Sequence, residues 1–582
     1  MKASAAKIKD VINSESLLRI PYFQRRYVWG EKDWERFVID MESTMDSDKQ
    51  YFLGALILQQ ENVDPSEKEV TEQFKVIDGQ QRLTTLSIYM RLLHMITSKT
   101  SDFESQYLHH DSSKTPVIRH SIDDRKEFNT VMHEGTAKEL SGDSNMIQAY
   151  NYMLNYFNTK RNEGFNLNDL LREVKRKVTF VCITLDKDDD EQQTFETINS
   201  IGVPLTTGEL LKNFLYESTD ESAYKQNWYP VFDTDSAASF WDQSDTKRSQ
   251  KVDSKDKLIE IFLYAYVRIK MWDFTLNDKQ RKDFVKTSNV FSTCKAFHEV
   301  FGAKKQDIAN EIVEYAKLYK EHLSPDILDE RIPSYGGIKR LACLTLATKK
   351  RTPLPYILYI LKNVQDQKEQ NKIFGYLETY LIRRMISEAS SQDKTYSEFF
   401  AEQMIKNRIL TYDALVKHIA ERETNLAIPT NGKLLIKGPE KKLDEVTART
   451  ILYFYETKKT LPSSNTFNGG FNDYYAEQLM PKPGNRIADA HWPNPTNPQE
   501  LTDRETLVSS IGNYYLLEGV PGDIKKNHNN ALDDKKQTMI KWASGITSSL
   551  PMLKSISQWE NENIRKRGSE LCKKFSNDVW PI

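Results

Sequence analysis

The stretch VIDGQQRLTTLSIYMRLL, residues 76–93, decides how the first part of the chain is read. A short apolar run stops abruptly at Asp78, Gly79, Gln80, Gln81 and Arg82. Leu83, Leu86, Met90 and Leu93 then recur at helical spacing, which predicts an amphipathic helix over 80–96. Upstream, FKVID (74–78) and YFLGALILQQ (51–60) are short and apolar and end in polar residues, as strands do. A helix that starts directly after a strand offers unpaired N–H groups and a partial positive charge, a setting suited to phosphate. Gly79 would permit the tight turn, and Arg82 could fork onto phosphate oxygens. Gln80 and Gln81 could orient a phosphate or a water, and Asp78 could hold a metal-bound water or act as a base. A plainer reading stands beside this one: Asp78 caps the helix and Arg82 pairs with a nearby acid. The corner is not a Walker A loop, because GxxxxGK[ST] is absent.

Further strands and helices follow the same logic. VTFVCITL (178–185) reads as a strand. Within TFETINSIGVPLTTGELLKNFL, Ile201–Pro204 is a breaker, and Thr206 with Glu209 forms a capping box for the next helix. The first domain closes near residue 220. Residues 221–440 read as a mostly helical connecting region, with DKLIEIFLYAYVRIKMW (256–272) and 356–386 as helices. The Pro- and Gly-rich stretch 427–442 breaks the pattern, and 441–582 reads as a last, turn-rich domain ending in helices.

The 582 residues are too many for one core and carry a net charge of −2, so any DNA contact must be a local patch. The four cysteines form no CxxC pair, which argues against a disulfide framework and fits a reducing compartment. No apolar run approaches the roughly 18 residues of a membrane span. A cytoplasmic chain without signal peptide or membrane contact is expected.

Two more constellations carry chemistry. IPYFQRRYVWGEKDWERFVIDM (20–41) interleaves Tyr22, Phe23, Tyr27, Trp29 and Trp34 with Gln24, Arg25 and Arg26. Such rings can stack on bases while arginines meet phosphates, or the segment is simply core. Near the C-terminus, only His491 and His528 lie beyond residue 418. If IADAHWPNP is a strand, Asp489 and His491 face one side and could share a metal, with His528 or Asn529 completing the site. A neutral imidazole beside a divalent ion is the minimal equipment of a one-metal nuclease. The alternative is a lone histidine and an Asn-rich cap. The basic run IRKRGSELCKK (564–574) could follow a DNA backbone or form a solvated helix face.

IPYFQRRYVW, YFLGALIL, VIDGQQRLTTL and FETINSIGVPLTTGELLKNFL together resemble, in order, the N-terminal DUF262 domain of GmrSD-type modification-dependent restriction enzymes. The resemblance implies a ParB/sulfiredoxin-like core within an α+β, predominantly helical chain. It implies nucleotide handling by Asp78, Gly79, Gln80, Gln81 and Arg82, with Asn199 near the same pocket. It also makes Tyr22, Gln24 and Arg25 candidates for sensing DNA. His491-Trp492-Pro493, Gly512-Asn513-Tyr514-Tyr515-Leu516-Leu517, and Asn529 with Lys535 resemble the family's DUF1524 half, an HNH or ββα-metal nuclease. That implies His491 as base, Asn513 positioning the loop or substrate, and Asn529 as metal ligand beside Asp489 or His528. The family usually has an acid directly before its histidine, and Ala490 stands there. The implied cofactors are Mg²⁺ or another divalent metal, and ATP or GTP. The implied partner is DNA carrying a base modification or phosphorothioate, and a homo-oligomer stays open. The function implied is a nucleotide-regulated endonuclease of anti-phage defence. The rivals are a non-catalytic ParB-like DNA-binding regulator and a ribonuclease toxin.

Overall fold

The computed structural model describes residues 2–22, 24–46, 48–185, 206–216, 221–244, 257–387, 398–421, 426–459, 467–519 and 522–582. Phe23, Asn199 and the 201–204 breaker therefore lie outside the described residues. The chain forms two compact units, Met1–Gln226 and Asn227–Ile582. The first boundary falls close to the expected 220. The expected division at 440 lies inside the second unit.

The first unit is built on a mixed six-stranded sheet in the order β1-β6-β3-β4-β2-β5. The strands are β1 (Lys2–Lys7), β2 (Ser16–Arg19), β3 (Tyr51–Glu61), β4 (Glu72–Asp78), β5 (Ile118–Arg119) and β6 (Val178–Leu185). β3 runs antiparallel to β4 and parallel to β6. Its register slips between Phe52 and Ala55 and again between Ile57 and Leu58. Both irregularities lie beside the point where β4 ends at Asp78. Bulges of this kind re-aim the backbone next to functional sites.

The helix Gln80–Ile96 has the bounds its periodicity predicts, but it is not amphipathic in use. It is buried all round, including Thr84, Thr85, Ser87, Arg91 and His94. The hydroxyls of Thr84, Thr85 and Ser87 each donate to the carbonyl four residues back, at 2.8 Å. Their polarity is thus satisfied within the helix, which lets a mixed sequence run through a core. The helices Glu31–Glu42, Asn145–Asn162 and Leu167–Lys177 pack with it into one apolar cluster. The Thr206–Glu209 capping box forms as expected, with Thr206 N–H donating to Glu209 Oε2 at 2.7 Å.

The second unit is mostly helical. The expected helix over 356–386 is two helices, Leu354–Asn363 and Gln367–Ser387. Asp366 makes the break by accepting the Lys368 N–H at 2.9 Å. The Pro- and Gly-rich stretch near 440 is held against the C-terminal helix Asn561–Lys574. A Cβ on Gly438 would meet Cys572 Sγ at 2.6 Å, so only glycine allows that approach. Arg383 donates to the Trp580 carbonyl at 2.7 Å, and Trp580 Nε1 donates to Glu378 at 2.9 Å. These ties fuse the helical region with the C-terminal segment, which is why 440 is no boundary between units. No helix of the described residues is long and apolar enough to cross a membrane.

Within this unit, β7 (Tyr474–Gln478) and β8 (Tyr514–Glu518) pair antiparallel, and the helices Gly522–Asn527 and Leu532–Trp542 follow. The connection between the strands carries the helices Arg486–His491 and Pro498–Leu507.

Candidate functional sites

The Asp-Gly-Gln-Gln-Arg corner is a turn made by Gly79 at φ +98°, with the helix starting at the next residue. A Cβ there would lie 2.8 Å from Leu56 Cδ1, so glycine is needed for both conformation and space. Arg82 Nη2 pairs with Asp78 Oδ2 at 2.9 Å, as the plainer reading expects. Both groups keep some exposure, 23% for Arg82 and 35% for Asp78, so a ligand can still reach them. The guanidinium lies over Gly54, a bulged residue of β3 at φ +116°. A Cβ on Gly54 would come within 2.2 Å of Arg82 Nη1. A glycine inside a strand marks such a close approach, and this signal in YFLGAL passes unused when the sequence is read alone.

The two glutamines do different work from that expected. Gln81 is buried, takes the Val28 N–H at 2.9 Å and donates to the Arg26 carbonyl at 3.1 Å. Gln80 donates to the Arg25 carbonyl at 3.0 Å. Gln24 answers from the other side, donating to the carbonyls of Val76 at 2.7 Å and Ile77 at 3.1 Å. The aromatic–arginine stretch and the corner are therefore one site, although the sequence presents them as two. One N–H and one lone pair of the Gln81 amide are thus engaged within the fold. Tyr22 anchors the stretch, with its hydroxyl donating to the Tyr216 carbonyl at 2.9 Å and its ring 5.3 Å from that of Tyr224. Arg25 is half-buried on the same segment.

Behind the corner sits a layer of titratable groups. His120 Nε2 lies 3.0 Å from Thr84 Oγ1, and Tyr27 N–H donates to Asp124 Oδ2 at 2.7 Å. Burial pushes His120 down to about 3, helped by Arg125, and pushes Asp124 up to about 6 against the pull of its Tyr27 bond. Replacing Gln81, itself buried, by alanine removes the partner of the Val28 N–H and of the Arg26 carbonyl. Gln81→Ala should lower the unfolding free energy by about 1–3 kcal/mol. A urea midpoint indistinguishable from wild type would show that the clamp is not what holds residues 24–28.

The C-terminal constellation differs more from expectation. Asp489 and His491 lie on the short helix Arg486–His491, not on a strand. Two residues apart on a helix are separated by about 200°, so they face apart rather than together. Asn485 causes this by capping, its Oδ1 accepting from the N–H groups of Ile487 at 3.0 Å and Ala488 at 3.3 Å. Asp489 is occupied with Gly484 N–H at 3.1 Å and Asn494 Nδ2 at 3.3 Å. His491 is exposed.

His528 is the oriented imidazole. Its Nδ1 lies 2.5 Å from Glu477 Oε1, on β7. Glu477 is 4% exposed and His528 36%, so a buried carboxylate holds a ring whose other edge meets solvent. Lys535, from the helix that follows β8, sits 3.2 Å from the same carboxylate oxygen and donates to the His528 carbonyl at 2.7 Å. Trp492 Nε1 donates to the Asn530 carbonyl at 2.8 Å, so the His491 segment is fastened to the 528–530 loop. Asn529 is half-buried in that loop. Asn513 is wholly buried: its Oδ1 accepts from Met480 N–H and Trp559 Nε1, and its Nδ2 donates to the Met480 and Val508 carbonyls. Both ends of its amide are committed to the hairpin, so it positions the loop and has nothing left for substrate. Glu477 escaped sequence reading because YYAEQLMPKP has no histidine to draw the eye.

Of the expected metal donors, Asp489 lies on its own short helix, His528 meets Glu477 through Nδ1 and so keeps Nε2, and Asn513 is saturated. Among the described residues, no three His, Cys, Asp or Glu side chains gather so as to hold an ion. Two of the five cations in the basic run are engaged within the fold, and Lys566, Lys573 and Lys574 are exposed. Arg567 is buried over the Tyr515 ring and donates to the carbonyls of Gly512 and Tyr514, while Arg565 pairs with Glu440 and Asp503.

Burial pushes Lys535 down to about 8, opposed by Glu477. An unfolded lysine titrates near 10.4. Between about pH 8 and 10.4 the unfolded chain therefore binds more protons, and this residue's contribution to stability rises with pH. The wild-type minus Lys535→Met difference in urea midpoint should accordingly grow from pH 7.5 to 9.5. A difference that stays flat or shrinks would remove the buried charged lysine from the account.

A glycine corner at a strand end, backed by a clamped arginine-bearing segment, defines the first unit as a domain built around one polar site. Residues 8–216 match the family model described as GmrSD restriction endonuclease, N-terminal domain. The first unit is thus similar to the N-terminal domain of GmrSD restriction endonucleases. No curated protein matches the chain.

Proposed function

We propose that the chain is a nucleotide-regulated, modification-dependent DNA endonuclease of bacterial defence, with His528 as the base. The observation that supports this reading is the Glu477–His528 pair on a strand–strand–helix unit. A carboxylate at Nδ1 sets the tautomer and leaves Nε2 with a lone pair on the exposed side. That nitrogen can take a proton from a water attacking a phosphodiester. Lys535 lies 3.2 Å from the same carboxylate oxygen and holds Glu477 in place. The arrangement resembles the ββα nucleases in order of elements. A divalent ion, if bound in place of that proton, would be held by His528 Nε2 and Asn529 and would stabilise charge on the scissile phosphate.

In the first unit, Arg82 and Asp78 would meet the phosphates of ATP or GTP, with Arg25 alongside. The segment 22–28 would read the DNA, because it is bonded directly to the nucleotide corner. Nucleotide state and DNA contact would then be coupled through Gln24, Gln80 and Gln81.

A second reading rests on Gln478. Glu477 is followed on the hairpin strand by an amide, Gln478, and not by a second ionisable group. Gln478 is engaged with the Val508 carbonyl at 2.8 Å and Tyr514 at 3.1 Å. An amide cannot act as a base, so in this reading the unit binds DNA and does not cut it. The deciding assay offers plain, glucosylated-hydroxymethylcytosine and phosphorothioate plasmids, with and without ATP or GTP. Cutting of one modified plasmid, stimulated by nucleotide, is expected. Binding without cutting would favour the second reading, and cutting confined to an RNA arm would make the chain a ribonuclease.

A further inference from the structure

The second unit contains a cavity of about 960 Å³ that neither candidate site uses. It lies among the helical elements, and its walls carry Arg268, Arg281, Lys282, Lys349 and Arg351. Glu260, Asp278 and Glu402 are the carboxylates there, so five cations face three acids. The whole chain carries −2, so this excess of positive charge is local and runs against the background. Cations gathered in a concave, partly desolvated wall raise the local potential for anions.

Two donors at or beside the wall have no acceptor. Arg281 Nε is buried without a hydrogen-bond partner, and so is the indole N–H of Trp272, whose ring centroid lies 6.0 Å from the Arg281 guanidinium. A buried donor without an acceptor is costly and points to a missing ion, water or ligand. Lys349 closes the helix Ile338–Thr348 at φ +54°, a position where glycine is the less strained choice. A lysine held there brings a charge to the cavity wall.

We infer that this cavity binds a phosphorylated ligand of nucleotide size. Its volume lies at the upper end of small-molecule sites, which run from roughly 300 to 1,000 Å³. It exceeds what a single phosphate ion needs. Tyr264 supplies an aromatic surface in the wall for a base, and the three carboxylates can accept from amino or sugar hydroxyl groups. The shared chemistry is a phosphate-bearing nucleoside, free in the cell as a mononucleotide or released as a short oligonucleotide when DNA is cut.

Equilibrium dialysis of the full chain against labelled ATP, GTP and the dinucleotide pdApdA tests this and separates the two sources. The proteins compared are wild type, Arg82→Ala and, as the charge-reversed chain, Arg82→Ala/Arg281→Glu/Lys349→Glu, in which the first unit's corner cannot mask a loss. Binding of at least one probe should survive in Arg82→Ala and fall tenfold or more in the charge-reversed chain. Mononucleotide binding would identify a free nucleotide, and preference for pdApdA a cleavage product. Full loss in Arg82→Ala, wild-type binding by the charge-reversed chain, or no binding of any probe would overturn the inference. Should the charge-reversed chain fail to fold, 8-azido-ATP is photo-crosslinked to the Arg82→Ala chain. Label in peptides from 257–290 or 346–356 sustains the site, and label only elsewhere, or none, removes it.

Discussion

His528→Ala should reduce DNA cleavage by roughly 10²- to 10⁴-fold, the usual weight of a positioned general base. The expectation rests on Glu477, which holds the ring at 2.5 Å from a strand whose position is set by pairing with β8. DNA binding should persist, because His528 keeps no strand or helix in place. His491→Ala should cut at close to the wild-type rate, since that ring is exposed and sits at the end of a short helix. The opposite pattern, with His491 essential and His528 dispensable, would return the base to the residue that the His-x-Pro resemblance favours. Glu477→Gln alone is a poor probe. It would leave Lys535 charged and buried without its partner, an error that can cost about 3–5 kcal/mol. Glu477→Gln combined with Lys535→Met removes both charges at similar volume. The double variant should fold and cut slowly. Cutting at the full rate would show that the carboxylate does not orient the imidazole for catalysis.

Arg82→Ala should weaken nucleotide binding by about 1.5–3 kcal/mol, which is roughly ten- to 150-fold, the range for a lost charged hydrogen bond. Gly54→Ala is the sharper experiment. It leaves every charge in place, yet its Cβ would stand 2.2 Å from Arg82 Nη1 at a backbone angle that alanine rarely adopts. The guanidinium must move, so nucleotide affinity should fall as in Arg82→Ala. Arg82→Lys should not rescue it, because a point charge cannot reproduce the fork. Circular dichroism and a melting curve serve as controls for the fold. Unchanged affinity in a folded Gly54→Ala chain would mean that the position of Arg82 over β3 has nothing to do with nucleotide.

These two sites were not equally open to a reader of the sequence. The strand at 178–185, the helix at 80–96 and the Thr206–Glu209 box stand where periodicity and capping put them. Such features depend on residues within one or two turns of each other, and local spacing records them directly. Gly79 belongs to the same class, because a sharp turn needs a residue that tolerates positive φ. The helix at 80–96 already strains the rule. Its leucines announce one buried face, but its burial on every side follows from neighbours far along the chain and from hydroxyls that satisfy themselves.

Chain-distant pairing explains what could not be read. Glu477 and His528 meet across β7 and a loop, Gln24 meets β4, and Gln81 clamps Val28. None of these contacts has a period or a motif, since each depends on which strand lies beside which. The helix at 486–491 made the same point in reverse. An Asn485 cap outweighed the strand that two-residue spacing suggested, and the shared face of Asp489 and His491 vanished with it. The sequence by itself determined the local elements, the glycine corner and the family likeness of residues 8–216. Only the tertiary structure decided which imidazole has a carboxylate behind it, because a hydrogen bond is set by distance in space and leaves no trace in spacing along the chain.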